Sequence, residues 1–397
     1  MIPRTKVTYG AAELARAATR RDGERQARDA LTRALERRFE LEHVLLAPSG
    51  RASLAVLLEA CDRTDVVVPA YTCKAVVEAC LIAGKRVRFV DAELDGFNLD
   101  VDRLEDACDA TCVVLATHQF GIPCELARIQ AIAARRGALV IEDAAASLGT
   151  TIGGRQTGTL ADAGFFSFDS TKLVNVPLKG GFLTVRDRGW FERTREVAAR
   201  RWSPLPTGLR ARWLASGAAY LALENHAAYR VFHEAMFARR GRFTNDDAVV
   251  RAERTVFHRH ALAEWQAAIA LPQIERLDAL VERRRELYAR LHEGLRGART
   301  FALPPTEPSG ARDRWACIRF AIRARGDKLA LYRRAVARGL DFAFSFTFLG
   351  CGREHANAWK LADAVLDVPY YHKLTNAELR RTIDVLQALD EEGSREN

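Results

Sequence analysis

From about residue 43, short apolar runs alternate with longer stretches in which apolar residues return every third or fourth position. The runs are HVLLAPS from His43, DVVVPA from Asp65, RVRFVDA from Arg86, TCVVLATH from Thr111, ALVIEDA from Ala138, GFFSFDS from Gly164 and FLTVRD from Phe182. Such short, nearly uninterrupted runs predict strands covered on both faces, as in a mainly parallel sheet. The stretch ELARIQAIAARRG, from Glu125 to Gly137, has helical spacing and ends on a glycine that can close a helix. The alternation predicts an α/β layered domain around a seven-stranded sheet.

The rhythm breaks over residues 188–260. There RWLASGAAYLALENHAAYRVFHEAMFARR, from Arg212, predicts a helical insertion or lid, its apolar stretch interrupted by Glu224 and His226 and too short for a membrane-lying helix. Residues 261–295 read as one or two long helices joining two parts of the chain. Beyond about 300 come a strand-like WACIRFAIRA, a helix from Lys328 to Arg338, and a final helix opened by Thr375 and Glu378 at capping-box spacing. The expected division is a large α/β domain over 1–260, with 188–260 inserted, and a linker helix with a smaller α+β domain over 261–397.

Composition adjusts this picture in three ways. A chain of 397 residues, 48% hydrophobic, is enough for two domains. Its charged beginning, MIPRTKVTYG, and the lack of any bilayer-length apolar run predict a cytoplasmic protein with no membrane span. Eight cysteines with no CxxC pair predict buried thiols and no metal. The formal charge of +9 comes from arginines scattered along the chain, which argues against nucleic acid and suits an anionic small-molecule substrate.

Three strand ends carry candidate chemistry. Ser49-Gly50-Arg51-Ala52-Ser53 opens a helix, whose N-terminal amides can seat a phosphate or need no more than a cap. Asp143 ends an apolar strand, where a carboxylate can hold a ring nitrogen protonated, or cap the next helix. Its neighbour Glu142 points to the opposite face. Lys172 follows Ser167-Phe168-Asp169-Ser170-Thr171, with Gly180-Gly181 beyond. Only an amine that can lose its proton forms a Schiff base, so a lysine there, unlike an arginine, can hold an aldehyde cofactor. Lys179 is the local rival, and a solvated surface lysine is the plain alternative for both.

Several segments stand in a fixed order: Ser49-Gly50-Arg51-Ala52; Val68-Pro69-Ala70-Tyr71-Thr72; Thr117-His118-Gln119-Phe120-Gly121-Ile122-Pro123; Glu142-Asp143-Ala144-Ala145; and Asp162-Ala163-Gly164-Phe165-Phe166-Ser167-Phe168 through Lys172, then Gly180-Gly181. In that order, residues 27–186 resemble the DegT/StrS group of sugar aminotransferases, which are fold type I enzymes dependent on pyridoxal 5′-phosphate (PLP). Gln266 to Ala270, Arg276 to Leu295 and Ala362 to Leu386 look like the group's linker and ending, while 187–260 and 300–360 fit poorly. The resemblance implies that Lys172, not Lys179, forms the Schiff base and moves protons, and that Asp143 pairs with the pyridine nitrogen. It implies that Ser167, Gly50 and the amides of Arg51 and Ala52 hold the phosphate.

Some positions depart from the group. Cys73 stands where an aromatic residue usually covers the cofactor ring, which leaves Tyr71 or His118 for that task. Ala146 stands where a Gln or His usually lies near the ring hydroxyl, Lys179 reverses a charge, and Arg259 replaces an asparagine expected to cross a dimer. The implied activity is transfer of an amino group from glutamate or glutamine to a keto acceptor, a nucleotide-linked keto sugar, by a homodimer. The alternatives are another fold type I PLP enzyme, such as a lyase or an acyl-transferring synthase, and a non-catalytic PLP-fold protein. Retention of Lys172 argues against the relatives that dehydrate sugars.

Overall fold

The seven apolar runs become strands of one sheet in the computed structural model, which describes residues 1–19, 26–240, 259–308, 312–346 and 350–396. In chain order these are β1 (Val44–Ala47), β2 (Asp65–Pro69), β3 (Arg86–Val90), β4 (Cys112–Thr117) and β5 (Leu139–Asp143). After a small hairpin, β6 (Thr151–Ile152) with β7 (Arg155–Gln156), come β8 (Ala163–Ser167) and β9 (Gly181–Val185). The spatial order is β1-β9-β8-β5-β4-β2-β3. The run from β3 to β8 is parallel, whereas β9 is antiparallel to β8 and to β1. No helix long enough for a crossover lies between β8 and β9, so the chain turns straight back.

Alternation within the strands explains the layers. Val66, Val68, Val113 and Leu115 pack with the helices Gly50–Glu59 and Lys74–Ile82, while Val67 and Val114 pack with the helix Leu126–Arg136 on the other face. Each such valine, fully buried, stabilises the fold by roughly 1.5–3 kcal/mol. The helix Leu126–Arg136 ends as its sequence suggests, with Gly137 at φ 72°.

The C-terminal part forms an antiparallel sheet of β10 (Phe301–Ala302), β11 (Phe320–Ala324) and β12 (Val365–Val368), with helices Lys328–Ala337, Ala356–Ala364 and Asn376–Glu396. One apolar cluster joins it to the large sheet: Tyr71, Phe97 and Phe120 pack with Phe320, Phe342 and Tyr370. The joining segment is two helices, Glu264–Glu275 and Leu277–Gly294, broken at Arg276.

One expectation changes. The strand-like WACIRFAIRA is a strand only from Phe320 onward. Its first half is tied to the large sheet's loops, with the Ala316 amide donating to Thr150 Oγ1 at 2.9 Å and the Ile318 amide to the Phe120 carbonyl at 2.8 Å. Residues 188–240 form helices Arg188–Arg201, Thr207–Ala222 and His226–Arg240, whereas 241–258 lie outside the described residues. No described helix is long and apolar enough to cross a membrane.

Candidate active site

The C-terminal ends of β4, β5 and β8 open onto a cavity of about 280 Å³, where open α/β sheets place ligands. Asp143 ends β5 and faces it. Its Oδ1 accepts the Ala145 amide at 3.0 Å, and burial pushes its carboxyl above the usual range against the pull of that amide and of Lys172. Lys172 faces the same space. Burial lowers its pKa, partly offset by Asp143, so the neutral amine needed for Schiff-base chemistry is easier to reach. Among the described residues its Nζ has no hydrogen-bond or ion-pair partner. Lys179, in contrast, lies 3.8 Å from Asp169.

The lysine's main chain is held at both its amide and its carbonyl. The Lys172 amide donates to the Asp169 carbonyl at 2.9 Å, and the Lys172 carbonyl accepts Asn175 Nδ2 at 2.9 Å. Asn175 in turn binds Thr8 through its side chain and exchanges hydrogen bonds with Gln273 through its backbone. The segment is thus fixed by the start of the chain and by the joining helix.

At the β8 end, Gly50 packs so closely on Ser167 that a Cβ on it would lie 3.2 Å from the serine Cβ. A Cβ on Gly181 would come within 2.3 Å of the Phe166 carbonyl oxygen. Glycine at both places lets the helix Gly50–Glu59 begin directly against the sheet. Ser167 Oγ accepts the Asp169 amide at 3.3 Å, leaving its proton available to an anion. Arg51 contributes a guanidinium to the cavity and pairs with Glu78 at 3.1 Å.

These features fit PLP. A glycine-lined helix start with a serine hydroxyl suits a phosphate, Asp143 suits a pyridinium, and Lys172 suits an aldehyde. Two residues that line the cavity, Thr117 and Gln119, each bury a polar side-chain atom, Oγ1 and Nε2, with no partner among the described residues.

The sequence model of the DegT/DnrJ/EryC1/StrS aminotransferase family matches residues 11–387. The chain belongs to that family. Its cofactor is pyridoxal 5′-phosphate. Curated relatives of this DegT-family chain include the UDP-N-acetyl-3-dehydro-α-D-glucosamine 3-aminotransferase of Acidithiobacillus ferrooxidans, 31% identical over 149 residues, 36% of this chain and 40% of that one. Another is the dTDP-4-dehydro-2,3,6-trideoxy-D-glucose 4-aminotransferase of Saccharopolyspora spinosa, 25% identical over 360 residues, 87% of this chain and 84% of that one. The chain spans 34–60% of the length of the first curated relatives it matches. Among solved structures, Spr1654 of Streptococcus pneumoniae in its PMP form shares the fold with a TM-score of 0.76 at 18% identity, over 99% of this chain and 100% of that one.

The cavity is lined by most, but not all, of the residues the sequence suggests. Lys172, Asp143, Ser167, Gly50, Arg51 and Cys73 all line the cavity; Tyr71, His118 and Ala52 do not. Tyr71 is fully buried and donates its hydroxyl to the Ser345 carbonyl at 3.2 Å, so it belongs to the core beside the cavity. His118 is also a core residue. Its Nε2 lies 3.0 Å from Glu142 and its Nδ1 accepts the Cys124 amide, which turns the imidazole away from the cavity. The Ala52 amide donates to Ser49 Oγ at 3.1 Å, so the helix cap takes the amide expected at the phosphate. Arg259 lies away from the cavity with its carbonyl accepting the Ser203 amide, and its neighbours Phe257 and His258 fall outside the described residues.

Sequence reasoning missed Gln119, Phe120, Arg319 and Phe346, which also line the cavity. Phe120 and Phe346 stack on each other at 5.8 Å. Arg319 Nε lies 3.5 Å from the buried Asp367. Gln119 and Phe120 stood inside a recognised motif, but Arg319 was one arginine among many.

Proposed function

We propose that this chain is a PLP-dependent aminotransferase that moves an amino group from glutamate or glutamine to a keto acceptor, a nucleotide-linked keto sugar. The observation that carries the reading is the meeting of Lys172, Asp143 and the Gly50–Ser167 cradle at one cavity, in a chain of an aminotransferase family. Bound PLP supplies an electron sink that lets a substrate carbon beside nitrogen lose its proton. Lys172 holds the cofactor and carries that proton on Nζ, a role that its burial favours by making the neutral amine accessible. Asp143 keeps a proton on the ring nitrogen by facing it with a carboxylate. Arg51, Lys179 and Arg319 give the cavity the positive field that an anionic substrate needs. Nucleotide-linked sugars are named for two of the relatives, which supports that acceptor class.

The division into residues 1–260 and 261–397, a homodimer, and a cytoplasmic location complete the proposal. Eight free thiols suit a reducing compartment.

Purified protein with PLP is expected to show a visible band that borohydride abolishes, and to release 2-oxoglutarate stoichiometrically from glutamate. Lys172→Ala should do neither. Wild type that forms the band but deaminates no amino acid would exclude aminotransfer and leave a lyase or synthase on the same fold.

A further inference from the structure

Two polar atoms of residues that line the cavity are left unsatisfied by the chain itself. Thr117 Oγ1 and Gln119 Nε2 are buried, and among the described residues neither has a hydrogen-bond partner. Leaving such a group unpaired in a folded protein is costly, so a ligand atom is its natural complement.

Sheet order says which ligand atom lies there. β5 sits between β8 and β4. Asp143 ends β5, Ser167 ends β8, and Thr117 ends β4 in register with Asp143, so their side chains share a face. A pyridine ring with its nitrogen toward Asp143 and its phosphate arm toward Ser167 and Gly50 turns its opposite edge to β4. On PLP that edge carries the hydroxyl oxygen, because hydroxyl and phosphate arm flank the aldehyde carbon on opposite sides. Ala145 and Ala146, which follow Asp143, offer only methyl groups to the cavity.

We propose that Gln119 donates its side-chain amide to the ring oxygen of bound PLP, with Thr117 beside it, and so sets how readily the nitrogen linking the cofactor to Lys172 gives up its proton. The main chain of Gln119 is fixed for this task. Its amide donates to Asn98 Oδ1 at 2.9 Å, its carbonyl accepts the Ile122 amide at 2.9 Å, and Phe120 turns the chain sharply at φ 57°. A donor stabilises the ring oxygen as an anion. It weakens that oxygen's hold on the proton of the neighbouring linking nitrogen and lowers the pH at which the proton leaves.

The inference rests on the cofactor reading above, and the test separates the two. The visible absorbance of PLP-loaded wild type, Gln119→Leu and Gln119→Glu is titrated with pH. Apart from Lys172 itself, the other ionisable groups facing the cavity, Arg51, Cys73, Lys74, Asp143, Asp169, Lys179 and Arg319, are the same in all three. The midpoint is expected to rise by about one unit in Gln119→Leu and further in Gln119→Glu, which sets a negative charge against the oxygen. A PLP-loaded Gln119→Leu that titrates at the wild-type midpoint overturns the inference. Should that variant not fold, Gln119→Glu keeps the shape and decides alone: an unmoved midpoint is fatal. A wild type with no reducible band at Lys172 refutes the cofactor reading instead.

Discussion

Glu142 and Asp143 are adjacent carboxylates that point to opposite faces of the sheet and do different work. Asp143 faces the cavity, whereas Glu142 is fully buried and accepts the amides of Gly158, Leu160 and Ala161 at 2.6–2.8 Å, with His118 at 3.0 Å. Glu142→Ala would leave three amides and His118 Nε2 unpaired inside the protein. It is expected to cost about 3–5 kcal/mol in denaturant unfolding, while Asp143→Asn should unfold near the wild-type midpoint and lose turnover. The strand period alone separated these two roles, because in a strand the neighbouring residue must face the other way. The same rule could not place Tyr71 or His118. Whether a side chain after a strand end meets a ligand or the core depends on what packs over it, and Ser345 and Glu142 come from distant parts of the chain.

At the level of elements, local signals survived well. Thr375 and Glu378 form the capping box their spacing suggests, with the Thr375 amide donating to Glu378 Oε2 at 2.7 Å and the Glu378 amide to Thr375 Oγ1 at 3.1 Å. Glu378 also binds Lys6 at 2.9 Å and His226 at 2.7 Å, tying the chain's start and an inserted helix to the last helix. Burial alone would push its carboxyl up; the Thr375 amide, then Lys6, the Thr375 hydroxyl and His226 outweigh that and hold it at about 2. Since the unfolded glutamate titrates near 4.5, the stability it contributes is complete above that pH and is lost as pH falls towards 2. Wild type should therefore lose roughly 2 kcal/mol across this window that Glu378→Gln does not, measured by urea unfolding at several pH values. Trp315 to Arg319 show where local reading ends. Their apolar pattern suits a strand, but hydrogen bonds to Thr150 and Phe120 claim the segment first and carry Arg319 to the cavity.

Across the whole molecule, one apolar cluster, built mostly on the small sheet and its helices, runs without a break into Tyr71, Phe97 and Phe120 at the large sheet, so the two sheets share a core. The two sheets are expected to unfold in one calorimetric transition, and PLP at a thousandfold excess over its Kd should stabilise both together by about 4 kcal/mol. Two separate transitions, with only one moved by PLP, would contradict this. The mounting of Lys172 also has a consequence for synthesis on the ribosome. Thr8 emerges early and waits for Asn175, and Asn175 waits for Gln273, 98 residues later. The loop that carries Lys172 therefore stays unbraced until the joining helix has been made. A nascent chain stalled before residue 273 carries a finished sheet and an open, protease-sensitive loop; only the longer chain can close it.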